Sequence, residues 1–225
     1  MEHQSRQDRR ICQVIYCVGG VLSPLLANIY LNALDVAMKM TRLVRYADDL
    51  VVLCRYNVDK TYGRMADVLT NLGLALNTEK TRIIDATREG FTFLGFTLRI
   101  AKSPRTGKTF PLIVPSKKAI GRIKKEVKEA TCRRNLALPK EAIVGRVNEA
   151  LRGWVNYFHY MHCTKAFAHL KNYTEERVRI YLSRKHRLRG RGYRKYPNAY
   201  LYGKLGLYRI PTTAPWTHAN AAGRR

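Results

Sequence analysis

Leu43-Val44-Arg45-Tyr46-Ala47-Asp48-Asp49-Leu50-Val51-Val52-Leu53 is the stretch on which the reading of this chain turns. Leu43-Val44 and Leu50-Val51-Val52-Leu53 are aliphatic or β-branched runs, each suited to a strand. Joined at Ala47-Asp48-Asp49, they predict a hairpin over residues 43–54 whose turn carries two adjacent carboxylates. Adjacent acids beside buried strands are costly unless something positive neutralises them. A divalent metal meets that need, and magnesium favours carboxylates plus substrate phosphates over an all-protein cage. Two such ions about 3.5–4 Å apart activate an attacking hydroxyl and stabilise a departing phosphate group. A solvated Asp-Asp turn is the alternative, so the neighbouring sequence has to decide.

Composition narrows the partners. The chain has 225 residues, enough for one or two domains, and a normal hydrophobic content of 46%. Its charge is unusual: 42 Lys plus Arg stand against 16 Asp plus Glu, a net +26. That excess calls for a polyanion. No apolar run approaches the ~20 residues of a membrane span, and the polar, charged first ten residues lead into no signal-peptide core. Nucleic acid is therefore expected, with no membrane. Cys12, Cys17, Cys54, Cys132 and Cys163 are scattered and form no Cys-x-x-Cys pair, which argues against a zinc knuckle and for a reducing, cytoplasmic setting.

Along the chain, Ser23-Pro24 reads as an N-cap and first helical residue, followed by Leu25, Leu26, Ile29, Tyr30 and Leu34 at helical spacing. A second helix is expected from about Val58 to Leu72, closed by Gly73. Leu74–Leu76, Arg82–Ile84 and Phe91–Leu98 read as strands around one sheet with the hairpin, the last with Phe91 and Phe93 on one side. Residues 99–115, with Pro104, Gly107, Pro111 and Pro115, read as a linker or protruding hairpin. Three helices then follow: one capped by Ser116 and running to about Cys132, one from Pro139 to about Met161, and one from Thr164 to about Arg187. Ile143, Val147, Leu151, Trp154, Val155 and Phe158 share a face of the second. The fold class is α+β, ending in a three-helix bundle.

Four blocks stand in order: Gly19-Gly20-Val21-Leu22-Ser23-Pro24-Leu25-Leu26-Ala27-Asn28, Tyr46-Ala47-Asp48-Asp49, Asn77-Thr78-Glu79-Lys80-Thr81 and Phe93-Leu94-Gly95-Phe96. Together they closely resemble the reverse transcriptase of group II introns, the intron-encoded maturase family, from about Val18 to Pro211. The resemblance implies an unmatched tail over 1–17, a partial polymerase palm over 18–98, the 99–115 connection, a helical thumb (domain X) over 116–211 and a tail over 212–225.

It also implies roles. Asp48 and Asp49 match the family's metal-binding pair, for magnesium or manganese. Tyr46 and Ala47 line the site beside the primer end, and Gly19-Gly20 gives a backbone that nucleotide or template approaches closely. Lys80 matches a lysine placed to protonate departing pyrophosphate, with a surface lysine as the plain alternative. Phe93, Leu94, Gly95 and Phe96 match the primer grip, with core packing as the alternative. Lys117, Lys118 and Lys124 on the first thumb helix, with Arg184, Lys185, Arg187, Arg189, Arg191 and Arg194, are candidates for RNA contact. From Arg177 to Lys195 there are nine Lys or Arg and no acid, with Tyr181 and Tyr193 interleaved, a pattern suited to phosphates and unpaired bases. A solvated charged face is the competing account of that run.

Two departures matter. Val18 stands where the family usually has glutamine, and only Asp8 precedes Gly19, in a stretch that does not match the third metal-binding aspartate of the family. Asp35, on the helix after Pro24, is not placed to substitute. The expectation is therefore the C-terminal portion of such a protein, not competent to polymerise alone, with fingers and the third carboxylate either on a separate N-terminal polypeptide or lost by truncation of the gene. The implied partners are intron RNA, an RNA template, a DNA primer and deoxynucleotides. The alternative is a non-catalytic maturase fragment that binds intron RNA and assists splicing. A basic RNA-associated protein unrelated to introns is the third reading, and it gives Asp48-Asp49 no purpose.

Overall fold

The computed structural model describes residues 23–47, 49–54, 56–77 and 81–212, and the chain divides into two compact units at Ile83/Ile84. Gly19, Gly20, Asp48 and Lys80 lie outside the described residues. The protein is α+β with antiparallel sheets. No helix among the described residues is long and apolar enough to cross a membrane.

The first unit consists of α1 (Ser23–Ala37), β1 (Arg42–Tyr46), β2 (Asp49–Leu53) and α2 (Val58–Asn71). Leu34 and Met38 of the α1 side meet Met65 and Leu69 of α2 in a small core, and Leu43, Leu50 and Val52 of the hairpin pack on it. Leu25, Leu26 and Ile29 stay exposed, so only the Tyr30–Leu34–Met38 side of the apolar stripe faces inward. Helix α2 ends as expected at Gly73. The Gly73 N–H donates to Thr70 O at 2.9 Å and the Leu74 N–H to Leu69 O at 2.8 Å, the paired bonds of a Schellman cap around a glycine at φ 69°. That cap takes the Leu74 amide, and Leu74 and Leu76 pack on the core, so Leu74–Leu76 is not the strand its composition suggests. Arg82–Ile84 forms no strand either; Ile83 is exposed and the chain turns at Asp85, whose carboxylate accepts from the Thr87 amide at 2.9 Å.

In the second unit β3 (Phe91–Phe93), β4 (Phe96–Lys102) and β5 (Thr109–Pro115) form their own antiparallel sheet, so the strands make two sheets rather than one. Phe91–Leu98 is not continuous. Phe93 pairs with Phe96, leaving Leu94 and Gly95 as a hairpin turn at φ 49° and 78°. Positive φ at both central residues matches the right-handed twist of the strands it joins. Residues 99–115 are largely the β4–β5 hairpin, paired from Phe96/Pro115 to Lys102/Thr109.

Helices α3 (Lys117–Ala130), α4 (Lys140–Phe158) and α5 (Thr164–Lys185) follow and all touch one another. Ser116 Oγ caps α3 by accepting from the Ala119 amide at 3.1 Å. Ile143, Val147, Leu151 and Val155 recur every fourth residue along α4 and are buried against Ile123, Val127, Phe167, Leu170, Val178 and Leu182. After α5 the chain folds back and inserts Tyr196, Leu201, Leu205, Leu207 and Ile210 into the same core. The return is tied by Arg179, buried at 4% exposure: its Nε donates to Tyr196 O at 3.0 Å, and Nη2 reaches Asn198 Oδ1 and Glu175. Tyr202 donates its hydroxyl to Glu175 Oε1, and burial with that carboxylate pushes its phenol far above the usual range.

Candidate functional site

The acidic turn is built by a tight hairpin. Tyr46 pairs with Asp49, so Asp49 belongs to β2, which starts one residue earlier than the sequence suggests. Side chains alternate across strands. Arg42, Val44 and Tyr46 therefore share a face with Asp49, Val51 and Leu53, while Leu43, Leu50 and Val52 point to the core. Tyr46 is 64% exposed and Asp49 is exposed beside it.

Arg45 turns to the core face and holds the turn. Its Nε and Nη2 reach Asp35 Oδ1 and Oδ2 at 3.0 and 2.5 Å, and Nη1 reaches Asn28 Oδ1 at 2.8 Å and the Ala47 carbonyl at 3.3 Å. The Arg45 side chain is 10% exposed. Its hydrogen bonds hold the Asp35 carboxyl below the usual carboxylate range, and Asp35 in turn raises Arg45. Asp35 is thus committed to an ion pair with Arg45. Asp49 differs: among the described residues nothing donates to its carboxylate, although this chain carries 42 cations. Ala47 sits at φ 53°, a conformation costly for a residue with a Cβ.

The Asp49 oxygens suit a hard divalent cation. Among the described residues, however, no group of three or more Asp, Glu, His or Cys side chains is arranged to hold one. The structure does not bring Lys80 or Asp48 into view, and their roles stay as the sequence suggested.

In the second unit the Phe93-Leu94-Gly95-Phe96 turn is clamped from two sides. Tyr157 of α4 donates its hydroxyl to Leu94 O at 3.0 Å, and the Ser116 amide donates to Gly95 O at 2.8 Å. Phe96 packs on Phe158 with ring centroids 4.9 Å apart, and a Cβ at Gly95 would come within 3.3 Å of the Phe158 ring. Packing and exposure at a defined turn coexist here.

The basic segment sorts into internal and outward charges. Arg177 donates to Thr131 Oγ1 and O, both at 3.2 Å, Arg179 lies in the buried network, and Arg191 pairs with Glu176 at 2.6 Å. Lys185 bonds the Leu136 and Leu138 carbonyls, each at 2.7 Å. Lys124 contacts His169 Nε2 at 2.5 Å and lies over the Tyr173 ring. Tyr181 is no stacking platform: it is buried, with its hydroxyl on Asn135 and Leu138 carbonyls. Tyr193 is half exposed, with Arg179 over its ring at 4.7 Å. Lys117, Lys118, Arg184, Arg187, Arg189 and Arg194 are exposed. No local sequence signal separates these from the internal cations, because the carbonyls that hold Arg177 and Lys185 lie more than 40 residues away along the chain.

Comparison with known proteins agrees with this arrangement. Residues 1–98 match the model of the reverse transcriptase (RNA-dependent DNA polymerase) family, and residues 120–197 match the group II intron, maturase-specific domain. The chain belongs to the group II intron reverse transcriptase/maturase family. Both matches fall where the motifs do: the acidic turn within the reverse-transcriptase match, and most of α3, with α4 and α5 and on to Tyr196, within the maturase match. A relative in Schizosaccharomyces pombe (strain 972 / ATCC 24843), an uncharacterized 91 kDa protein in the cob intron, is 26% identical over 143 residues, 56% of this chain. The chain spans 18% of the length of that relative.

Proposed function

We propose that this protein contributes to RNA-directed DNA synthesis through its acidic turn and grips intron RNA through its helical unit, the thumb. Asp48 and Asp49 are the carboxylates this chain offers to magnesium, or to manganese in its place. When bound, such ions neutralise charge on the attacking and leaving oxygens of nucleotidyl transfer. The chain's own residues do the rest. Arg45 fixes the turn carbonyl, Ala47 leaves room beside the primer end, and Tyr46 flanks the site. Lys80 gives a proton to departing pyrophosphate, and the Phe93–Phe96 turn holds the primer strand. The supporting observation is the exposed Asp49 carboxylate, without a partner among the described residues, while Arg45 is consumed by Asp35. Any third carboxylate of such a site comes from outside the described residues. Intron RNA, an RNA template, a DNA primer and deoxynucleotides are the partners.

A second reading, an RNA-binding maturase that assists splicing without polymerising, is favoured by the exposed Lys117, Lys118, Arg184, Arg187, Arg189 and Arg194 and by the maturase-specific match over residues 120–197. One experiment separates the two: primer extension on an RNA template with magnesium and deoxynucleotides, wild type against Asp49→Asn, alongside salt-titrated binding to folded intron RNA. Extension lost in Asp49→Asn with RNA affinity unchanged supports the polymerase reading. Salt-sensitive RNA binding with no extension, even when an N-terminal polypeptide of the family is supplied, overturns it in favour of the maturase reading.

A further inference from the structure

A groove of ≈ 440 Å³ extends from the Phe93–Phe96 turn to Leu98, Ile113, Tyr157 and Tyr160, which the roles above do not use. Its floor is Phe93, Phe96, Leu98 and Ile113 of the β3–β5 sheet, and its wall is Tyr157 and Tyr160 at the C-terminal end of α4. The two tyrosines are 51% and 58% exposed. Tyr157 is fixed at both ends: its hydroxyl bonds Leu94 O at 3.0 Å, and its ring stacks on Phe96 with centroids 5.7 Å apart and planes 28° apart. The Tyr160 ring lies 3.9 Å from that of His159.

Two cations follow the residue that clamps the turn. The Ser116 amide holds Gly95 O at 2.8 Å, and the next two residues, Lys117 and Lys118, are exposed in the first turn of α3. No acid occupies that first turn, and the N-terminal end of a helix itself favours anions. Flat exposed rings over an apolar floor, flanked by cations, form the combination that binds single-stranded nucleic acid: rings stack on bases while cations follow the phosphates. An apolar protein segment would fill the floor but would gain nothing from Lys117 and Lys118. We propose that this groove is a stacking site for an unpaired base of an RNA strand, with Tyr160 and Tyr157 as the platform and Lys117-Lys118 on the adjoining phosphate. The proposal rests on the RNA-binding reading and adds a base-contacting site to it.

The test uses the full chain and a single-stranded RNA carrying one 2-aminopurine, a base whose fluorescence falls when it stacks. The wild type is expected to quench it. Tyr160→Leu weakens binding about 5- to 100-fold at fixed salt, the range of one lost base–aromatic stack, and restores fluorescence. The slope of affinity against salt stays unchanged, because no phosphate contact is removed. Tyr157→Phe keeps the ring and retains quenching. It serves as the fold-sparing comparison for Tyr157→Leu, with thermal melting recorded on every variant. Unaltered affinity and quenching in a folded Tyr160→Leu/Tyr157→Leu double variant overturn the proposal, as does quenching confined to the DNA strand of the same sequence. If the wild type binds RNA with a steep salt slope but 2-aminopurine stays bright, the groove assignment alone falls. If it does not bind RNA at all, the RNA-binding reading falls with it.

Discussion

Arg187 holds a place where helices ordinarily use glycine. Helix α5 ends with the Arg187 amide on Arg184 O at 3.2 Å and the Leu188 amide on Ser183 O at 2.8 Å, so Arg187 occupies the left-handed position of a Schellman cap at φ 51°. In α2 the same position is Gly73. An L-residue with a Cβ pays about 1–2 kcal/mol there, and glycine recovers that strain less about 0.5–1 kcal/mol for its freer unfolded chain. Arg187→Gly is therefore expected to stabilise by about 0.5–1 kcal/mol, roughly 2–4 °C in Tm for a unit of this size. Arg187 is exposed and makes no ion pair among the described residues, so its charge is open to a phosphate. The same substitution should lower the slope of log affinity against log salt by about 0.7–0.9, the share of one neutralised phosphate. Thermal melting and a salt titration of RNA binding, with Arg187→Asn as an uncharged residue that tolerates this conformation, measure both effects. A Tm that falls refutes the strain argument; an unchanged salt slope refutes the phosphate contact.

Two further outcomes follow from the geometry. A Cβ at Gly192, already at φ 75°, would lie 2.2 Å from Ser183 Oγ, a buried hydroxyl without a hydrogen-bond partner. Gly192→Ala should cost about 2–4 kcal/mol from strain plus overpacking, and Ser183→Ala should remove about half of that in a denaturant-melt double-mutant cycle; zero coupling rejects the contact. Asp35 is held below the ordinary carboxylate range by its Arg45 hydrogen bonds. Its contribution is complete above the unfolded pKa of about 3.9 and is lost as pH falls through the lower folded value. Arg45→Met should flatten the acid limb of stability below about pH 4, and an acid limb identical to wild type would refute the clamp.

What the sequence showed clearly was local. Ser116 and Gly73 mark helix ends because a cap is decided within one turn, and Ile143, Val147, Leu151 and Val155 announce a buried face by spacing alone. The hairpin at Tyr46–Asp49 was legible because two apolar runs flank it. The Leu94-Gly95 turn was hidden inside what reads as one strand, since leucine rarely adopts positive φ and tertiary packing from Tyr157 and Phe158 holds it there. The Arg45–Asp35 pair was equally hidden, because it depends on how α1 lies against the hairpin, not on spacing. The fate of each basic residue between Arg177 and Lys195 was also out of reach, because it is set by carbonyls supplied from the α3–α4 connection.

Strain and charge then point the same way. The non-glycine residues at positive φ are Ala47, Asn57, Leu94, Met161 and Arg187 among the described residues. Asparagine tolerates that conformation, and the other four do not. Ala47 forms the acidic turn, Leu94 the Phe93–Phe96 turn, Met161 follows Tyr160 of the aromatic groove, and Arg187 stands in the basic segment. Two of them are braced at their own carbonyls, Ala47 by Arg45 of the strand that leads into its turn and Leu94 by Tyr157 of α4. Strained backbone persists only where the surroundings over-determine it, and it collects at sites that need a fixed geometry. Random placement would scatter these residues among ordinary loops; here each of the four marks a surface assigned to metal, primer or RNA. Arg45 and Tyr157 are therefore better understood as braces that hold those two turns in place than as incidental surface contacts, and removing either should disturb its turn before it disturbs the fold.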